Sequence, residues 1–150
     1  MTEKDPSRRP AVRIRRLLPA TPQEVFDAWI NPDDMREWMC PGSTSLVSVQ
    51  LEVRIGGRFR IVMHDETGDI VHTGEYREIQ PPERLVFTWR SQGTHDTDTL
   101  VTVELHPQGE ETELVLTHEL LPDTVAAGTH EHGWRSVVEK LARHLGRVTH

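Results

Sequence analysis

Residues 133–146, GWRSVVEKLARHLG, decide how this chain is read. Trp134, Val137, Val138, Leu141 and Leu145 recur at helical spacing, while Arg135, Glu139, Lys140, Arg143 and His144 fill the other positions. The pattern is that of an amphipathic helix with one apolar stripe to bury. Glu131 with Arg135, and Glu139 with Arg143, stand at the i,i+4 spacing that favours ion pairs. Gly146 is placed to cap the C-terminus. Such a stripe needs an apolar surface to lie on, and the preceding sequence supplies one.

Across residues 45–120 the apolar period changes to two. The sets are Val47, Val49, Leu51, Val53; Phe59, Ile61, Met63; and Ile70, His72, Gly74, Tyr76. They continue as Leu85, Phe87, Trp89; Val101, Val103, Leu105; and Leu114, Leu116, His118. Each set occupies one face of a strand, and Arg, Thr, Glu and Ser are common on the other, so one side of the sheet is expected to be buried and one wet. Gly56-Gly57, Gly68-Asp69, Pro81-Pro82, Gln92-Gly93 and Gln108-Gly109 punctuate the sets at hairpin intervals, which makes the sheet antiparallel.

Upstream, Val12, Ile14 and Leu18 share a parity interrupted by Arg16 and stopped by Pro19, which reads as a first strand. Thr21, Pro22 and Glu24 form a capping box with proline at the first helical position, ahead of the apolar Val25, Phe26 and Trp29. Asn31 and Pro32 repeat the start signal before Asp33 and Asp34, with Met35 and Trp38 pointing inward. The order predicts an α+β, helix-grip fold. A curved antiparallel sheet of about seven strands wraps around a long C-terminal helix, and two short helices follow the first strand. Residues 1–11, polar with prolines at 6 and 10, read as a flexible arm, and residues 12–148 as the domain.

A chain of 150 residues, 35% hydrophobic and 27% charged, is long enough and apolar enough to fold as one domain. A net charge of −7 argues against a phosphate-backbone partner, because the basic cluster of Arg8, Arg9, Arg13, Arg15 and Arg16 lies mostly in or beside the arm. Cys40 is the single cysteine, so no intrachain disulfide forms; with no apolar leader and no run of roughly 20 apolar residues, a cytoplasmic location without membrane contact is expected.

Nine histidines raise the question of a metal. His130 and His132, two apart on a helix, point roughly 200 degrees from one another, and no third ligand is fixed by spacing. Surface histidines are the plainer account, no metal or cofactor is expected, and Cys40, with no base nearby in sequence, reads as a buried inert thiol. His72, Tyr76, Trp89 and His118 stand apart, because the parity that buries Ile61, Phe87 and Leu116 turns their polar tips inward. Inward polar groups need partners, from backbone, water or a ligand.

Residues 20–29 (ATPQEVFDAW), 56–59 (GGRF), 74–79 (GEYREI) and 82–89 (PERLVFTW), followed by Gly133-Trp134, fall in a familiar order. The chain resembles the START-like (SRPBCC) superfamily and, within it, bacterial homologues of the activator of the heat-shock protein 90 ATPase. The resemblance implies a cavity between sheet and helix that holds a small hydrophobic molecule. On the inward parity, its expected wall from the helices and first strands is Trp38, Phe59, Ile61, Met63, His72, Gly74 and Tyr76. The later elements add Phe87, Trp89, Val101, Leu116, His118, Trp134 and Val138. The bulky aromatics beside the small Gly74 suggest an interior that is not packed solid.

The leading expectation is a ligand-binding domain without catalysis, since no carboxylate supports a histidine on the inner face. A cyclase- or dehydratase-like enzyme using His72, Tyr76 and His118 is the alternative, and a chaperone co-factor acting through its surface, as monomer or homodimer, is a third reading that rests on the family name.

Overall fold

The computed structural model describes residues 9–148. Most of the arm expected over residues 1–11 lies outside the described residues; of its remainder, the Pro10 carbonyl accepts a hydrogen bond from Leu121 N at 3.3 Å. Strand β1 (Val12–Leu18) leads into helices α1 (Pro22–Ile30) and α2 (Pro32–Met35). Strands β2 (Ser45–Leu51), β3 (Arg58–Asp65), β4 (Gly68–Gln80), β5 (Arg84–Trp89), β6 (Thr99–Gln108) and β7 (Glu111–Glu119) precede helix α3 (Thr124–Val148). The strands form one seven-stranded sheet in the order β1-β7-β6-β5-β4-β3-β2, with every neighbouring pair antiparallel. This is the curved sheet and long helix of the helix-grip fold.

Local chemistry sets the starts of the helices. Thr21 Oγ1 accepts from Glu24 N at 3.3 Å while the Glu24 carboxylate accepts from Thr21 N at 3.0 Å, the two halves of a capping box. Asn31 Oδ1 accepts from Asp33 N at 2.9 Å to open α2. Helix α3 begins at Thr124, ten residues before Trp134, where the Asp123 carboxylate accepts from Ala126 N at 2.8 Å.

Four expectations are corrected. The alternation assigned to the second strand fails because a bulge lies between Leu46 and Ser48. Leu46 packs on the core, Val47 is 49% exposed, and Val53 lies beyond the strand. The outer face is not uniformly wet, for Val62, Val86 and Val115 are buried on it. There Arg84 bridges Glu78 and Glu104 (3.2 Å to the latter), and such long charged side chains cover apolar neighbours with their stems. Gly146 does not cap α3, which continues through it to Val148. Finally, Glu139 does not pair with Arg143 by hydrogen bond but accepts from Arg16 Nε of β1 at 2.6 Å. That bond raises the Arg16 pKa, and it explains why an arginine interrupts the inward parity of the first strand.

The core is continuous from β1 to α3 and heavily aromatic on one side. Trp29 and Trp38 meet edge to face at 4.7 Å, Phe59 meets Phe87 at 5.5 Å, and Phe59 lies 5.7 Å from Tyr76. Gly74 exists because of that packing. A Cβ on it would stand 2.0 Å from the Thr88 carbonyl oxygen and 2.3 Å from the Phe59 ring, so only glycine fits. The adjacent Glu75 N donates to the Thr88 hydroxyl at 2.8 Å.

Candidate functional site

Packing is incomplete at one end of the helix. A cavity of about 290 Å³ lies between the β3–β5 part of the sheet and the N-terminal half of α3. Met63, Ile70 and His72 form its sheet side, Trp89 its back, and His130, Trp134 and Val137 its helix side. Met39, Pro41 and Thr44 from the segment after α2 cover one flank, and the Ser91–Gly93 turn after β5 covers another. Exposed Gln92, Gly93 and Thr129 form part of its rim.

The flanking segment is strapped to the helix. Lys140 Nζ donates to the carbonyls of Cys40 (2.6 Å) and Gly42 (2.7 Å), and Gly42 N donates to Ser136 Oγ at 2.7 Å. Cys40 is only partly buried, with its sulfur 3.8 Å from the same ammonium.

Trp134 is oriented by a chain of four groups. Its Nε1–H donates to His118 Nδ1 at 2.9 Å, His118 Nε2–H donates to Thr99 Oγ1 at 2.7 Å, and that hydroxyl donates to the Trp89 carbonyl at 2.5 Å. Each donor has one acceptor, so the arrangement fixes the neutral Nε2–H tautomer of His118. Burial, aided by the neighbouring His130, pushes the His118 pKa down to about 3. With both nitrogens engaged, the ring has no lone pair left for a reacting group. His118 holds the wall from behind.

His72 is different. The ring is 9% exposed, lies 4.9 Å from the Trp89 ring, and its buried Nδ1 has no hydrogen-bond partner. Burial lowers its pKa to about 4. His130 Nδ1–H donates to the Ala126 carbonyl at 2.8 Å, which leaves Nε2 as an acceptor in the neutral ring, and burial lowers its pKa as well.

The candidate wall residues therefore divide into three groups. Met63, His72, Trp89 and Trp134 come together around the cavity. Phe59, Ile61, Tyr76 and Phe87, with Trp89 at the boundary, line a separate void of about 10 Å³, the space of a single water at most. Trp38, Gly74, Val101, Leu116, His118 and Val138 line neither space, the buried ones among them serving as core or support. Aromatic bulk, read from sequence as a sign of open space, is in most of the interior spent on other rings. Among the described residues no hydrogen bond joins His72, Tyr76 and His118.

Sequence reasoning missed the loop contribution and His130. Loops carry no period to reveal which way they face. The histidine was legible, because it stands four residues before Trp134 on the same helical stripe, in line with Val137. It is half-buried rather than a surface group. Among the described residues no group of three or more His, Cys, Asp or Glu is placed to hold a metal ion, and no helix is long and apolar enough to cross a membrane.

A protein of Chromobacterium violaceum superposes with a TM-score of 0.83 at 24% identity, covering 90% of this chain and 96% of that one. The AHSA1 protein of Silicibacter pomeroyi gives 0.78 at 26% identity, covering 94% and 100%. The AHSA1-like protein from Aeromonas hydrophila gives 0.77 at 18%, covering 93% and 94%. No curated protein matches. The family model described as Activator of Hsp90 ATPase homolog 1-like protein matches residues 19–146, from the end of β1 through nearly all of α3, and the chain belongs to that family.

Proposed function

We propose that this domain binds a small, largely apolar molecule in the cavity between β3–β5 and α3, and does so without acid–base catalysis of its own. The observation that carries the reading is the cavity's composition. Two tryptophans, Trp89 and Trp134, with ring centroids 5.2 Å apart, wall an apolar space whose sheet side carries His72, a buried ring with its Nδ1 lacking a hydrogen-bond partner. A mostly apolar pocket with a few convergent polar groups is the usual form of a small-molecule site. Catalysis is disfavoured because His118 is committed to Trp134 and Thr99, and because among the described residues no carboxylate hydrogen-bonds His72 or His130.

The chaperone-ATPase activity in the family's description, carried over to this chain, would act through the outer surface, and the interior cavity favours a ligand instead. Native mass spectrometry of gently purified protein tests the reading. A bound molecule of roughly 150–300 Da, the size that the cavity admits, is expected and is lost on acidification. Protein that appears only at its bare mass, and that shows no shift in melting temperature with any aromatic or aliphatic compound screened, would refute it.

A further inference from the structure

The polar groups around the cavity are unequal in kind. His130 Nδ1–H is used by the Ala126 carbonyl, so Nε2 presents a lone pair. His72 lines the sheet side with its buried Nδ1 lacking a hydrogen-bond partner, and its neutral ring carries one nitrogen lone pair. Asp65 lines the mouth, its carboxylate accepting from Thr67 N at 2.8 Å and Thr67 Oγ1 at 2.6 Å, bonds that keep it ionised. Among the described residues no lysine or arginine lines the space. Lys140, farther along the same helix as His130, is turned to the Cys40 and Gly42 carbonyls. Gln92, Thr129 and Ser91 add only uncharged polar groups.

An anion entering this cavity would lose its hydration, pass a carboxylate and meet acceptors, with no cation to compensate. A hydroxyl or N–H group would instead find an acceptor in the Nε2 lone pair of His130. We infer that the cavity selects uncharged ring compounds that donate a hydrogen bond, and turns away carboxylates such as fatty and aromatic acids. This rests on the reading of the cavity as a ligand site and adds which ligand chemistry it takes.

Three probes of one shape separate the two claims: 4-phenylphenol, biphenyl and biphenyl-4-carboxylate, titrated at pH 7.5 and followed by calorimetry. The phenol is expected to bind about tenfold tighter than biphenyl, the gain of one satisfied hydrogen bond, and the carboxylate at least about tenfold weaker than the phenol. In His130→Phe and His72→Phe the phenol's advantage over biphenyl should shrink while biphenyl still binds. On the unaltered protein, ¹⁵N spectra should show the Nε2 resonance of His130, or a ring nitrogen of His72, moving with the phenol and not with biphenyl, a readout that does not depend on a variant folding. Carboxylate binding equal to the phenol's, or histidine resonances indifferent to the phenol, overturns the selectivity and leaves the cavity reading standing. Failure of all three probes to bind overturns both.

Discussion

Lowering the pH from 7 to 5 should destabilise this fold more than its carboxylates explain. His72 and His118 have ordinary values of 6.5 in the unfolded chain and about 4 and about 3 in the fold, both through burial. Between those limits the unfolded chain binds protons that the native state refuses, so stability is complete above pH 6.5 and declines as the pH falls toward 4. At pH 5 the deficit is about 1.5 pH units for each ring, which at about 1.36 kcal/mol per unit is ~2 kcal/mol each and ~4 kcal/mol together. His130, also lowered by burial, adds in the same direction.

Glu24, Asp65, Asp123 and Glu139 have lowered values and lose their contributions only as the pH falls through the carboxylate range, so they contribute little at pH 5. For a domain whose total stability is about 5–15 kcal/mol the effect is large. Urea denaturation at both pH values measures it, with His118→Gln as the control that removes one titrating ring and should reduce the pH-dependent loss by roughly half. A loss below about 1 kcal/mol in the unaltered protein, or one that His118→Gln leaves intact, would refute the reasoning.

Replacing Trp134 with Ala should cost about 3–5 kcal/mol, the range for deleting a large buried aromatic, and a loss under about 1 kcal/mol would mean α3 does not close the core. Trp134→Phe keeps most of the ring but strands the Nδ1 acceptor of His118, so chemical denaturation should show a deficit of about 1–3 kcal/mol. Gly74→Ala drives a Cβ against the Thr88 carbonyl and should cost about 1–3 kcal/mol, whereas Gly133→Ala, whose Cβ would rest 3.7 Å from Pro41, should be neutral or gain up to about 1 kcal/mol of helix propensity; melting temperatures that reverse this order contradict the packing described.

The fold was legible because its signals are periodic and local. Strand parity from Phe59 to His118, the capping box at Thr21 and the stripe from Trp134 to Leu145 each have a single physical solution, and their order leaves one architecture. The errors arose where a neighbour in space overrode the local pattern. The bulge at Leu46 and Ser48 shifts a parity that the residues themselves do not mark, and Arg16 supplies Glu139's hydrogen bond across a sequence separation of 123, with Arg143 acting on it only electrostatically.

The site was half legible. Parity identifies that Met63, His72 and Trp89 face inward, but not that Phe59 and Phe87 pack against one another while open space remains beside the Trp89–Trp134 pair. That depends on how far α3 stands from β3 and β4 and on where Pro41 and Ser91 fold over, which is tertiary information.

The central claim is that the space beside Trp134 is a ligand site, and Gly133 offers the most direct test because it lines the cavity from the helix and tolerates a side chain there. The measurement is the melting temperature of the unaltered protein and of Gly133→Leu with and without 4-phenylphenol. At 100 times the dissociation constant, binding to the native state stabilises by about 2.7 kcal/mol, roughly 5–10 °C for a domain of this size. The account predicts that rise in the unaltered protein and a clearly smaller one in Gly133→Leu, whose side chain takes up part of the cavity, while the unliganded variant melts close to the parent. An equal rise in both proteins would place the ligand elsewhere and contradict the account.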